Sequence, residues 1–392
     1  MVDISVIMPC YNSMSTLEES LDSVLTQNFA GNIELVAVED CSTDETESIL
    51  RRRATQDSRL KIVVHRQNMG GGAARNTGIR ASAGSFLLVF DSDDVLGYGA
   101  LQAMYDFLSG HEALDGALFE EQRTFQGNDK QNLNVFRFYC EDRPIDLKAV
   151  FQGKKALMGN FMFRRPAFEK AGGYPDHHGF DTQGFCMRFL SNGLHAQVAP
   201  GSFFWHRVSG PAASYFERVF AAGRFSLNTY LIYEDMIDLF SCAAINKIMT
   251  ADVFRKNSFG AESLSAQMEA LESAGIAVLK DSNSDSYGPQ ELGFVAGILA
   301  MREKQFGKAL QKFFDIAQKG FVSPILHFNI IRCTFGIAGM TTSGIVEESL
   351  SAIDRLRTKK IRSRRGWSLF QRSLVKMARA ILTFYGFEDP IL

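Results

Sequence analysis

Four short apolar stretches in the first hundred residues, each closed by turn chemistry, leave few folds open to this chain. Residues 4–9, 33–38, 60–64 and 86–90 are rich in Val, Ile, Leu and Phe and read as strands. Between the first two, Leu17, Leu21, Val24 and Leu25 recur at helical intervals. Ser15 with Glu18, and Ser42 with Glu45, have the spacing of capping boxes and predict helix starts there. A glycine-rich turn, residues 68–72, predicts a third helix over 73–81. The resulting β-α-β-α-β-α-β order implies a parallel sheet with right-handed crossovers. Residues 86–90 are apolar without alternation, as expected of a strand buried on both faces.

That last strand runs directly into Asp91-Ser92-Asp93-Asp94. In open α/β sheets ligands sit beyond the carboxyl ends of the strands. Crowded carboxylates repel one another unless a positive group, such as a metal ion, lies between them. Taken alone, the stretch reads equally well as a solvated acidic turn. However, two other strand ends also carry chemistry: Pro9-Cys10-Tyr11-Asn12 and Glu39-Asp40. All three fall on one edge of a parallel sheet, which favours a binding site.

The pattern P-x-Y-N, E-D-x-S-T-D, N-x-G-x-x-x-A-R-N-x-G and D-S-D-D resembles the nucleotide-sugar half of family-2 glycosyltransferases of the GT-A fold. The resemblance runs from about residue 3 to about residue 210. It implies an α/β, doubly wound, mostly parallel sheet. It also implies roles for particular residues. Pro9, Tyr11 and Asn12 would line the base, and Asp40 would hydrogen-bond it, with Glu39 as acidic neighbour. Gly70 would let the backbone approach the ligand, and Arg75 and Asn76 would close over it. Asp91, Asp93 and Asp94 match the metal motif, in which one later carboxylate holds the ribose and another holds Mn²⁺ or Mg²⁺. The residues by themselves permit blander roles: helix N-terminal charge for Glu39 and Asp40, and an ion pair with a nearby acid for Arg75.

Beyond residue 100 the resemblance thins. Residues 159–165 and Ala171-Gly172-Gly173-Tyr174 look like the family's approach to its catalytic loop. That loop usually holds adjacent Glu-Asp, with an Arg six residues after the Asp. Aligned on Arg188, this chain has Asp181-Thr182 there. Asp181 is the candidate general base for an inverting transfer, with Asp176, His177 and His178 as nearby substitutes. His206, in Trp205-His206-Arg207, matches a position that returns to the diphosphate and metal. Trp205 reads first as a core aromatic and second as an acceptor-stacking platform.

The chain divides into residues 1–235, a transferase domain with donor half 1–100 and acceptor half 101–235; residues 236–355, all helical; and residues 356–392. Leu292, Gly293, Ala296, Phe306, Ala309, Leu310 and Phe313 predict a helical pair resembling a degenerate tetratricopeptide repeat, with a second unit over 324–356. The final stretch is basic, with an apolar stripe that includes Trp367, Phe370 and Leu374, and reads as an in-plane membrane helix. Because its aromatics lie apart from its basic residues, nucleic acid is the weaker partner.

Net charge is -2 and the six cysteines are scattered without a C-x-x-C, arguing against structural zinc and disulfides. No signal peptide or membrane-spanning run is read in the sequence. The expectation is a cytoplasmic enzyme, peripheral at the inner face of the cell membrane. It would move a hexose or N-acetylhexosamine from a UDP-sugar to a glycan or lipid-linked acceptor with Mn²⁺ or Mg²⁺. A nucleotide-sugar binder of weakened activity and a helical-repeat scaffold with a vestigial transferase domain are the alternatives.

Overall fold

The computed structural model describes residues 2–126, 129–137, 143–147, 150, 159–175, 181–208, 225–250, 287–321, 323–337 and 339. The described residues through Val208 form one compact unit and those from Phe225 another.

The first unit opens as the sequence predicts. Strands β1 (Ile4–Cys10), β2 (Ile33–Glu39), β3 (Leu60–Val64) and β4 (Phe86–Val89) alternate with helices α1 (Leu17–Leu25), α2 (Thr46–Gln56) and α3 (Gly71–Ala81). Then come β5 (Val95–Leu96), α4 (Ala100–Gly110), β6 (Gly116–Gln126), β7 (Asp129–Arg137), β8 (Phe161–Arg164), α5 (Arg165–Ala171), α6 (Asp181–Ser191) and β9 (Ala196–Val208). Among the described residues these strands form one sheet in the order β3-β2-β1-β4-β8-β6-β9-β5, with β7 beside β6.

The β3-β2-β1-β4 half is parallel throughout. β8 then inserts antiparallel between β4 and β6, pairing Leu88 with Met162 and Ala117 with Met162. β6 and β9 run parallel and β5 closes antiparallel on β9. One face of the sheet is sealed by α1 and α4: Val6, Leu35 and Leu88 share a core with Leu17, Leu21 and Met104, all fully buried. Fully burying each such side chain contributes roughly 1.5–3 kcal/mol.

Neither predicted capping box forms. Helix α1 is capped at Thr16, whose hydroxyl donates to the carbonyl of Ser92 at 3.0 Å and so ties the helix to the acidic turn. At α2, Asp44 accepts from the Thr46 amide at 3.0 Å and from the Thr46 hydroxyl at 2.5 Å.

The second unit contains α7 (Phe225–Glu234), a 3₁₀ turn (Ile237–Leu239), α8 (Cys242–Thr250), α9 (Pro289–Arg302), α10 (Phe306–Gln318) and α11 (Pro324–Ile337). The predicted helical pair is present as α9 and α10. They pack with Gly293 under Ile316 and Gly297 under Phe313, an antiparallel hairpin drawn close by glycine. Leu292, expected in its core, is 58% exposed. A buried Arg332–Glu234 pair (2.6 Å) and a Tyr230–Asn329 hydrogen bond (2.8 Å) join α11 to α7. Of the proposed second repeat only α11 falls within the described residues, and residues 356–392 lie outside them. Among the described residues no helix is long and apolar enough to cross a membrane.

Candidate active site

The carboxyl edge of the parallel half is where the sequence placed its candidates, and the fold brings most of them together there. The β1 and β2 loops are stitched to each other. Asn12 sits at φ 50°, and its carboxamide oxygen accepts from the Thr43 amide at 2.8 Å. The Glu39 carboxylate accepts from the backbone N–H of Cys41 (3.1 Å) and Ser42 (2.6 Å). Glu39 is thus spent on its own loop, as Asn12 is on its neighbour. Pro9 is part-buried at the end of β1. Tyr11 is 51% exposed, an aromatic face open at this edge.

Asp40 is buried and holds the glycine-rich loop. Its oxygens accept from the amides of Met69 and Gly70, each at 2.8 Å, and one of them meets His65 Nδ1 at 2.7 Å. His65 Nε2 in turn meets the Thr77 hydroxyl at 3.0 Å, so one imidazole spans β2 and α3. Sequence reasoning passed over His65, although it directly follows β3 and so stands at a strand end like the other candidates. Gly70, at φ 85°, starts α3 in a conformation only glycine adopts freely. Gly72 is required by a neighbour: a Cβ there would lie 1.9 Å from the Pro175 carbonyl oxygen. The loop's glycines therefore admit protein backbone as well as any ligand.

The centre of the site is Arg75, 7% exposed. Its guanidinium bonds Asp91 at 2.6 Å and also bonds Asp181, a residue 106 positions later, while its Nε is buried without a partner. The ion-pair reading of Arg75 is thus realised, with two acids. Burial pulls the Arg75 pKa down, but Asp181 and Asp91 outweigh it and hold the group charged. Burial raises the Asp181 pKa against the pull of Arg75, and Asp91 adds to the rise. Asn76, expected over a nucleotide, instead clips the backbone of Tyr174, donating to its carbonyl at 2.8 Å and accepting from its amide at 2.9 Å. This clip seats the Gly172-Gly173-Tyr174 turn against α3 and delivers α6 and Asp181 to the edge. Asp176, His177 and His178 lie outside the described residues.

The acidic turn divides its labour. Asp94 is 1% exposed and fully engaged. It accepts from Asn160 at 2.8 Å and from the Arg207 amide at 3.2 Å, and meets His206 Nδ1 at 2.9 Å. Both oxygens of Asp94, expected as a metal ligand, thus already have partners within the chain, the His206 imidazole among them. Burial, followed by the Asp94 and Asp91 charges, raises the Asp93 pKa. His206 carries a raised pKa too: burial opposes it, and the Asp94 hydrogen bond prevails. Arg207, missed in the sequence, ties the turn to α1 by bonding the Asp93 carbonyl at 3.1 Å and pairing with Glu19. Among the described residues no three His, Cys, Asp or Glu side chains converge as a complete metal cage. Trp205, predicted first for the core, is part-exposed and lies edge-on to Phe125 at 6.2 Å, because its neighbour Phe204 takes the inward position on β9.

A twisted, largely parallel sheet with a glycine-started helix and clustered acids at its carboxyl edge defines a doubly wound α/β ligand-binding domain. Residues 5–172, which make up most of this domain, match the family model "Glycosyl transferase family 2".

Among curated proteins, it is 29% identical over 210 residues to the minor teichoic acid biosynthesis protein GgaA of Bacillus subtilis, covering 52% of this chain and 47% of that one. It is 35% identical over 166 residues to an uncharacterized glycosyltransferase of Haemophilus influenzae, covering 42% of this chain and 64% of that one. The match thus spans about half to two thirds of these relatives' length. Among solved structures, S. aureus TarS 1–349 in complex with UDP-GlcNAc aligns with a TM-score of 0.48 and 18% identity, over 90% of this chain and 92% of that one.

Proposed function

We propose that the chain transfers a sugar from a nucleotide-sugar donor, a UDP-hexose or UDP-N-acetylhexosamine, to a glycan or lipid-linked acceptor with inversion. The observation that carries this reading is the convergence of Tyr11, Asp40, Arg75, Asp91, Asp93, His206 and Asp181 at one sheet edge. Tyr11 offers its exposed face to the base. The His65–Asp40 pair holds the loop at Met69 and Gly70 in place to receive the ribose and diphosphate.

Asp93 and His206 fit a divalent cation. Asp93 is crowded by two carboxylates. The His206 Nδ1 contact with Asp94 leaves Nε2 available as a ligand, the usual way a carboxylate orients a metal-binding imidazole. Mn²⁺ or Mg²⁺ commonly takes one or two protein ligands and completes its shell from substrate phosphates and water. Once bound, the cation neutralises charge developing on the departing diphosphate.

Asp181 takes the proton of the acceptor hydroxyl. Its burial lifts its basicity toward the working range of a general base. Arg75 fixes the orientation of Asp181 relative to Asp91. The teichoic acid role in the name of the Bacillus subtilis relative supports a cell-surface glycan as acceptor. One observation favours a second reading, a donor-binding protein that turns over slowly: Asp181 is already bonded to Arg75, and Thr182 stands where the family has its Asp.

A panel of nucleotide sugars read by thermal shift, with and without Mn²⁺, tests the proposal. A Mn²⁺-dependent shift with one UDP-sugar, and release of UDP when a glycan acceptor is added, is expected. No shift with any nucleotide sugar would overturn it.

A further inference from the structure

Beside the acidic turn lies a cavity of 330 Å³ between α1, the β5 segment and β9, lined by Glu19, Asp22, Val95, Leu96, Tyr98 and Trp205 among others. It is separate from the groups assigned to donor and metal, and it touches them through one residue. Arg207 pairs with Glu19 on the cavity wall and donates to the Asp93 carbonyl at 3.1 Å. Trp205 precedes His206 on β9.

Three features define what the cavity can hold. First, it carries two aromatic side chains accessible to solvent, Tyr98 at 73% exposure and Trp205 in part. An exposed aromatic pair at a cavity mouth presents flat apolar faces, and the C–H face of a pyranose ring is the matching surface. Second, both carboxylates already have an arginine: Glu19 pairs with Arg207 and Asp22 with Arg53. Their charges are compensated, so the site has little net field to draw a cation, but each carboxylate has four lone-pair positions and still accepts hydroxyl hydrogens. Third, the volume is at the small end of ligand pockets, which begin at about 300 Å³, and suits one or two sugar rings rather than an extended chain.

We propose that this cavity is a saccharide subsite that receives a neutral sugar residue of the acceptor, stacked on Tyr98 and Trp205 and hydrogen-bonded by Glu19 and Asp22. The assignment rests on the glycosyltransferase reading above. It adds a specificity element: Arg207, which pairs with Glu19 of the subsite wall, also anchors the acidic turn, so acceptor engagement and donor-site geometry are linked through one residue.

The chain has two tryptophans, Trp205 and Trp367. In full-length protein carrying Trp367→Phe, emission reports on Trp205 alone. Titration with methyl β-D-glucopyranoside and with methyl N-acetyl-β-D-glucosaminide is expected to change that emission saturably. Tyr98→Ala, at an exposed position, should weaken the response about tenfold, as expected for losing one aromatic contact of about 1.4 kcal/mol. Calorimetry with UDP and Mn²⁺ reads the donor site separately, and its affinity in Tyr98→Ala should stay within twofold of the parent. Absence of any emission change with either glycoside overturns the subsite while leaving the donor reading standing. A response to tetramethylammonium but not to the glycosides overturns it in favour of a cation cage. An equal response in Tyr98→Ala overturns the stacking assignment.

Discussion

Replacing Arg75 with Met removes the charge that joins two acids while keeping most of the side-chain volume. Arg75 bonds Asp91 at 2.6 Å and also bonds Asp181, with side chains 34% and 18% exposed respectively. Breaking a buried ion pair by removing one partner costs about 3–5 kcal/mol, because the other charge is left uncompensated. Asp91 is open enough for water to take over part of the role, so the expected loss is near the low end, about 3 kcal/mol. With a urea m-value of about 1–3 kcal/mol/M, the unfolding midpoint of the transferase unit should fall by roughly 1–3 M. The assay is urea denaturation of the full chain followed by far-UV circular dichroism, with the Asp181→Asn single and double variants completing a cycle. The double variant should recover about 0.5–3 kcal/mol relative to additivity, since Asp181→Asn removes one of the stranded charges. The deficit of Arg75→Met should also shrink as pH falls, because protonation neutralises the carboxylates that lost their partner. A loss below about 1 kcal/mol, the level of an exposed pair, would refute the claim that Arg75 is a buried keystone.

Asp181→Asn should leave Mn²⁺-dependent UDP affinity within twofold yet slow transfer by about 10²–10⁴-fold, the usual weight of a general base; UDP release at the wild-type rate would exclude Asp181 from that role. Glu34 is buried, which would raise its pKa, but hydrogen bonds from Lys61, Ser5 and Ala83 outweigh burial and lower it. A carboxylate with a lowered pKa stabilises the fold above its unfolded pKa and ceases to do so as pH falls through the folded value. Glu34→Gln should therefore cost about 1–3 kcal/mol at neutral pH, and the difference should close in acid; a pH-independent difference would contradict the assignment. Deleting residues 356–392 should release the protein from anionic liposomes, and undiminished co-sedimentation would refute the membrane-surface reading of that basic stretch.

The parallel half of the sheet was legible because its strands are continuous apolar runs whose ends are punctuated. Residues 60–64 were matched to the residue, and the other boundaries shifted by a position or two. The half beyond residue 100 was less legible because its order depends on pairings distant in sequence. Nothing local announces that β8 inserts antiparallel between β4 and β6. The site divides along the same line. Tyr11, Asp40 and the acidic turn were found by residue type and position at strand ends, and Arg75, inside α3, through the family resemblance. Asn160, Arg207 and the Arg75–Asp181 bond were not, because their partners lie 66, 114 and 106 positions away. Asn76 and Glu39 were correctly placed at the edge, but their hydrogen-bonding groups are spent on backbone of this chain. Residue identity alone could not separate a group that holds a loop from one that holds a ligand.

The central claim, that this sheet edge is a metal-assisted donor site centred on Asp93, is tested most directly by calorimetric titration of UDP into wild type and Asp93→Ala, with and without Mn²⁺. The account predicts that wild type binds UDP in the presence of Mn²⁺ and that Asp93→Ala loses the metal-dependent part of that affinity. Equal affinity in the two proteins, unchanged by Mn²⁺, would contradict it.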